Sequence, residues 1–385
     1  MGKRKVRTSK ARCDARRIEC DAASLPKIDA LRDVPAFGDL RHDETQVRAF
    51  ESFVDDLRAS GEVDAAGHMR LGCVVRLDRG FPLVASFDAV FRAEHAVAFA
   101  KGADMLPAIG DWVAVRCDPG HDMGVIERVL PRRTVFERWR GKNRGERQVL
   151  AANVDVILIV QPLGSPRDTL QIVSDRIARS MVLVNDCGAT PVVVLTKADR
   201  VADEELDAFV AQVARLVGDS VRVIVTSSAD GRGLDEVRSC IPKGAFGMIL
   251  GESGAGKSTL LNTILGHEAL ATSEVRERDD MGRHTTVARV MVALPEPCGV
   301  VADAPGLRSL PLVGHERGLA LTFPEIVAAA RACRFNDCTH THEPGCAVRE
   351  SVEDGSIEPV RVDAFLALAR EMRVSAQSLD PDIHL

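Results

Sequence analysis

The chain has 385 residues, 45% of them hydrophobic and 28% charged, with 30 Gly and 18 Pro, which excludes a fibrous or largely disordered protein. No window approaches the ~18 consecutive apolar residues that a spanning helix needs, and the basic start MGKRKVRTSKARCDARR lacks the apolar core of a secretory signal. No membrane association and a cytoplasmic location are expected, and the net charge of −6 excludes a uniformly basic nucleic-acid coat while allowing local basic runs.

Residues 1 to about 45 are polar and without period, and read as a loose basic arm. Val47, Phe50, Phe53, Val54 and Leu57 then recur at helical spacing, predicting one amphipathic helix that packs on the next domain. From Gly67 to Glu137 the runs LGCVVRLD, FPLVASF, GDWVAVRCD and GVIERVL, broken by Gly, Pro and Asp, predict a small β-barrel of OB type. The segment from Arg132 to Arg147 carries seven basic residues against Glu137 and Glu146. There Phe136 and Trp139 either stack on RNA bases or belong to the core.

From Val154 the buried-type strands VDVILIVQ, PVVVL, VRVIVT and FGMIL alternate with helical stretches, predicting a mostly parallel α/β sheet. After Leu310 the pattern is of helices around a Cys/His knot. The expected domains are an arm and helix over 1–65, the barrel over 66–148, the α/β domain over 149–318 and a helical metal-binding domain over 319–385.

The sequence GESGAGKS at 251–258 stands between the strand FGMIL and the helix-like STLLNTILG, the context a P-loop requires. Gly251, Glu252, Ser253, Gly254, Ala255 and Gly256 would turn backbone N–H groups around phosphates, and Lys257 would add a charge at the β/γ oxygens. Ser258 would bind Mg²⁺, with Thr259 following on the helix. LTKADR follows PVVVL and looks like the guanine motif Asn-Lys-x-Asp, with Thr196 in the Asn position. Asp199 would accept from guanine N1–H and N2–H₂, a donor pair adenine lacks, and the Lys197 stem would flank the base. About 30 residues later Ser227 and Ser228 resemble the companion Ser-Ala loop.

DAPG at 303–306 resembles the Asp-x-x-Gly switch, in which Asp303 holds Mg²⁺ through water and the Gly306 N–H senses the γ-phosphate. In GRHTTV, Thr286 is typed to ligate Mg²⁺ when GTP is bound, with Thr285 the alternative. The base-reading loops precede the phosphate loop, the reverse of the ordinary order, which implies a circularly permuted sheet. Cys333, Cys338, His340 and Cys346 are spaced as a closed tetrahedral site for one structural Zn²⁺, with His342 the rival nitrogen ligand.

Taken together, these motifs, with GDWV at 110–113, VLPRRT at 129–134 and AANVD at 151–155, resemble the ribosome small subunit GTPase A family. The resemblance implies an OB-fold domain, a permuted GTPase domain and a zinc domain. It also implies GTP hydrolysis to GDP stimulated by the 30S subunit, contact with 16S rRNA in late subunit maturation, and a monomer. The position after the switch glycine is Leu307, which cannot orient water, so His284 becomes the family's catalytic candidate. The zinc domain directly follows DAPG, so switch movement is expected to reorient it. A P-loop kinase or a nucleotide-driven metal-insertion protein is the competing reading.

Overall fold

The computed structural model describes residues 33–77, 81–96, 106–121, 123–140, 146–165, 169–269, 289–303 and 312–379. His284, Thr285, Thr286, Gly306, Leu307 and Arg144 lie outside the described residues, as do the side chains of Trp139 and Arg140.

Helix α1 (Glu44–Ala59) starts at a reciprocal cap: Asp43 Oδ1 accepts from the Gln46 N–H at 2.9 Å, and Gln46 Oε1 accepts from the Asp43 N–H at 3.0 Å. Its Phe50, Phe53, Val54 and Leu57 pack with Ala66 of α2 (Val63–His68) and with Met69 and Ala114 of the barrel, so the apolar stripe is an intramolecular contact. The arm is not loose from Asp33 onward. Phe37 sets its ring edge against Trp112 at 5.6 Å, and Leu40 bridges to Gly244. The 65/66 boundary falls inside α2.

Strands β1 (Met69–Leu77), β2 (Pro82–Ser86), β3 (Val90–His95), β4 (Trp112–Arg116) and β5 (Gly124–Val129) pair in the order β1-β2-β3-β5-β4 and close back onto β1. Only the β3–β5 pair is parallel, which is OB connectivity. Val74, Val84, Ala93, Val113, Val115 and Ile126 fill the barrel.

A hairpin of β6 (Val135–Arg140) and β7 (Glu146–Ala152) joins barrel to α/β domain, so the expected 148/149 boundary cuts through a strand. Phe136 is 1% exposed in the main core, which removes it as a base-stacking residue. Buried Asn153 locks the junction: its Oδ1 accepts from Gln46 Nε2 and the Arg133 N–H, and its Nδ2 donates to the Gly110 carbonyl at 2.9 Å.

In the α/β domain β8 (Val156–Pro162), β9 (Thr190–Thr196), β10 (Arg222–Val225), β11 (Phe246–Leu250), β12 (Arg289–Ala293) and β13 (Val300–Asp303) run in the order β10-β9-β8-β11-β13-β12. All pairs are parallel except β12 with β13. Helices α3 (Leu170–Cys187), α4 (Asp203–Val217), α5 (Leu234–Ser239) and α6 (Lys257–Leu265) connect them. The continuous apolar runs of β8 and β11, buried on both faces, follow from this covering.

The C-terminal region holds α7 (Glu316–Thr322), α8 (Pro324–Ala330), α9 (Ala347–Glu353) and α10 (Pro359–Leu379), and the 318/319 boundary falls inside α7. It is docked directly on helices α3 and α4 of the α/β domain. A Cβ on Gly318 would stand 2.2 Å from the Val182 carbonyl oxygen, so α7 lies backbone-close to α3. His315 Nδ1 meets Asp186 Oδ2 at 2.7 Å, and Asn185 Nδ2 donates to Thr322 Oγ1 at 2.9 Å. Arg361, 9% exposed, donates to the Leu216 carbonyl at 2.6 Å, the Thr322 carbonyl at 2.8 Å and Glu325 Oε1 at 2.6 Å. Free reorientation of this domain with the switch, as its chain position suggested, would break these buried bonds.

Candidate nucleotide and metal sites

The loop 251–258 runs from the end of β11 into α6, at the carboxyl edge of the parallel sheet. A Cβ on Gly251 would meet the Val160 carbonyl oxygen at 2.5 Å, so the loop can pass over β8 only with glycine there. Gly256 has φ +87°, a left-handed turn that releases the chain into the helix. Lys257 Nζ donates to the Gly251 and Glu252 carbonyls at 2.8 Å each, which holds its ammonium within the turn of the loop. Glu252 is held by Arg176 of α3 at 3.0 Å, a partner without any signal in the sequence. Ala255 is buried beneath the loop, whereas Ser253, Gly254 and Thr259 are exposed and Ser258 is half-buried at the start of α6. Parallel pairing of Ile249 with Asp303 puts that carboxylate at the same sheet edge as Gly251.

The TKAD loop touches the phosphate loop directly. Thr196, 5% exposed at the end of β9, donates from Oγ1 to the Ala255 carbonyl at 2.7 Å. Lys197, with φ +62°, donates from Nζ to the Gly254 carbonyl at 2.6 Å. Asp199 follows in a short 3₁₀ turn, where its Oδ1 accepts from Ser227 Oγ at 2.8 Å. Ser227 is fully buried, and the hydroxyl that donates to Asp199 also accepts from the Ala229 N–H. Ser228 begins the partly exposed turn after it. Two loops that are far apart in sequence, one typed for guanine and one for phosphates, thus form one surface.

In the C-terminal domain one ligand atom from each of Cys333, Cys338, His340 and Cys346 lies within 4.8 Å of the others. Cys333 Sγ and Cys346 Sγ are 4.0 Å apart, and His340 Nδ1 is 3.6 Å from each. A tetrahedral zinc with bonds of ~2.3 Å to sulfur and ~2.0 Å to nitrogen has edges of roughly 3.8 and 3.5 Å, so the donor set fits such an ion. His342 is outside the cluster, with Nδ1 2.8 Å from Thr341 Oγ1. Glu343 braces the loop by accepting from the Thr339, Thr341 and His342 N–H groups.

A phosphate loop on a mostly parallel sheet, joined to base-reading loops that precede it in the chain, defines a circularly permuted P-loop GTPase. The RsgA GTPase family model matches residues 129–313. A small ribosomal subunit biogenesis GTPase RsgA of Streptomyces coelicolor is 41% identical over 307 residues, 80% of this chain and 81% of the relative. One of Opitutus terrae is 42% identical over 287 residues, 72% of this chain and 75% of its own. The fold is that of YjeQ from Thermotoga maritima, with TM-score 0.60 and 24% identity over 79% of this chain and 99% of that one. It is equally that of YloQ, described as a circularly permuted GTPase, with TM-score 0.57, 24% identity and coverage of 80% and 96%. The chain belongs to the RsgA GTPase family.

Proposed function

We propose that the protein hydrolyses GTP to GDP and phosphate in late maturation of the small ribosomal subunit, and that the 30S particle stimulates it. The observation that carries the reading is the junction of Thr196 and Lys197 with the Ala255 and Gly254 carbonyls, which joins base selection to phosphate binding. Asp199 reads the guanine edge, held by Ser227, with Ser228 beside it. The loop 251–256 and Lys257 bind the phosphates, with Thr259 at the base of α6.

Ser258, Thr286 and Asp303 would hold Mg²⁺, which when bound offsets charge on the β- and γ-phosphates. His284 positions the attacking water in place of a switch Gln, and the Gly306 N–H reads the γ-phosphate. Cys333, Cys338, His340 and Cys346 would hold one zinc that closes the C-terminal loop and leaves no position for substrate. The barrel and the basic hairpin meet 16S rRNA phosphates through their arginines. The protein acts as a cytoplasmic monomer; among the described residues no helix is long and apolar enough to cross a membrane.

The test is GTP and ATP hydrolysis by the purified chain, with and without 30S subunits. Slow GTP turnover that rises many-fold with 30S is expected. A 30S-insensitive ATPase would return the kinase or metal-insertion reading.

A further inference from the structure

Strand β12 is the last strand of the GTPase sheet, and an open edge there would leave unpaired backbone groups. Its residues are instead shared out. Met291, Val292 and Ala293 pair with β13, while Arg289 and Val290 pair with Leu77 and Arg76 at the end of barrel strand β1. β1 reaches across because its ladder with β2 breaks register between Val74 and Arg76, and its earlier residues, Met69 to Cys73, pair with β4. At the far end of β12 the Ala293 N–H donates to the Asp33 carbonyl at 2.7 Å. The Asp33 carboxylate, 13% exposed, meets His267 Nε2 at 2.7 Å, two residues beyond the end of α6.

The barrel, the arm, the GTPase sheet and the end of the P-loop helix are therefore joined at one five-residue strand. That strand begins three residues after Thr286 in the sequence. The β1–β12 join has two residue pairs, whereas β1 and β4 within the barrel share five, so it is a short join.

We propose that β12 couples the nucleotide state of the GTPase domain to the barrel: the β1–β12 rungs and the Asp33 clasp are tighter with GTP than with GDP. By reciprocity, whatever engages the barrel shifts the preference between the two nucleotides by the same factor. This rests on the reading of Thr286 and the P-loop as nucleotide-sensing elements.

The experiment is hydrogen exchange on the full chain with GDP and with a non-hydrolysable GTP analogue, comparing wild type, Arg289→Pro and Asp33→Ala. The Ala293 N–H faces away from β13, so by the two-residue period of a strand that of Arg289 faces Leu77, and proline at 289 opens the barrel join and spares the GTPase ladder. In wild type the β1 amides should exchange about three- to tenfold more slowly with the GTP analogue than with GDP. The difference should vanish in R289P and shrink in D33A, with the GTP-to-GDP affinity ratio falling in step. Equal β1 exchange in the two states, with amides 251–258 protected by both nucleotides, overturns the proposal. So does a difference that persists undiminished in D33A and in R289P. Failure of either nucleotide to protect 251–258 would instead overturn the nucleotide-site reading beneath it.

Discussion

Replacing Thr196 with Val tests whether the base-reading loop is tied to the phosphate loop by a single hydroxyl. The substitution keeps the β-branched shape in β9 and removes the Oγ1 donor that reaches the Ala255 carbonyl at 2.7 Å and the Gln161 carbonyl at 3.3 Å. Both ends of the shorter bond are buried, Thr196 at 5% and Ala255 at 1% exposure, so water cannot replace the lost donor. A carbonyl left facing a methyl there costs about 1–3 kcal/mol. At about 1.4 kcal/mol per decade, affinity should fall from about fivefold to about a hundredfold. GTP and GDP should lose equally, because on the proposed reading the joined loops meet the base and α/β-phosphates common to both, and turnover at saturation should stay near wild type. Equilibrium titration with fluorescent GTP and GDP analogues, with a melting curve to establish folding, reads this directly. A folded T196V binding both within twofold of wild type would refute the claim that this bond unites the site. T196N supplies an amide donor from the family's more usual side chain and should retain affinity.

Arg361→Met should destabilise the C-terminal domain by about 3–5 kcal/mol, since it strips a buried guanidinium from two carbonyls and Glu325. Chemical denaturation and limited proteolysis would show it, and R361K should recover only part because an ammonium cannot reproduce the fork. Burial raises the Asp186 carboxyl, but the His315 hydrogen bond and the charges of His315 and Arg317 outweigh it, and the group sits below its ordinary value. A depressed carboxyl contributes stability that is present above its unfolded value of about 3.9 and lost as pH falls through the folded one. Asp186→Asn should therefore be less stable than wild type at neutral pH, with the gap closing below about pH 4; a pH-independent gap in urea midpoints would contradict it. One zinc per chain is expected by metal analysis, and Cys346→Ser or strong chelation should loosen 333–346 without abolishing nucleotide binding. A chelated protein with unchanged exchange in that loop would argue against a structural ion.

What the sequence made legible was chemistry carried by contiguous residues in local context. GESGAGKS, TKAD and the Cys/His spacing each specify a loop, and each loop is found at a strand end or in the helical knot where its neighbours point. Long-range contacts were not legible in this way. β3, VFRAEH, is half exposed and lacks the apolar run of its neighbours, so it escapes pattern reading. The β6–β7 hairpin reads as a charge run because its arginines pair across strands, as Arg147 does with Glu137 at 2.6 Å. Phe136 could have faced solvent or core on periodicity alone, and only its packing decides. His340 and His342 alternate by two residues, and φ +60° at His340 turns that ring inward. The arm from Asp33 to Arg41 has no period because its contacts are scattered, from Ala293 and His267 to Trp112, Gly244 and Asp155.

The nucleotide site straddles the β8–β11 junction, and these two strands are separated in the chain by the whole base-reading half. Strands β8, β9 and β10 are consecutive and adjacent, so the half of the sheet that carries the TKAD and Ser227 loops precedes the phosphate loop in the chain. The phosphate half then enters as β11 against the exposed side of β8, and β13 and β12 follow outward until β12 meets β1, a strand made more than 200 residues earlier. The outer edge of the sheet thus closes onto the oldest domain, and a chain cut short before Arg289 would lack this join while keeping the Asn153 lock between barrel and α/β domain.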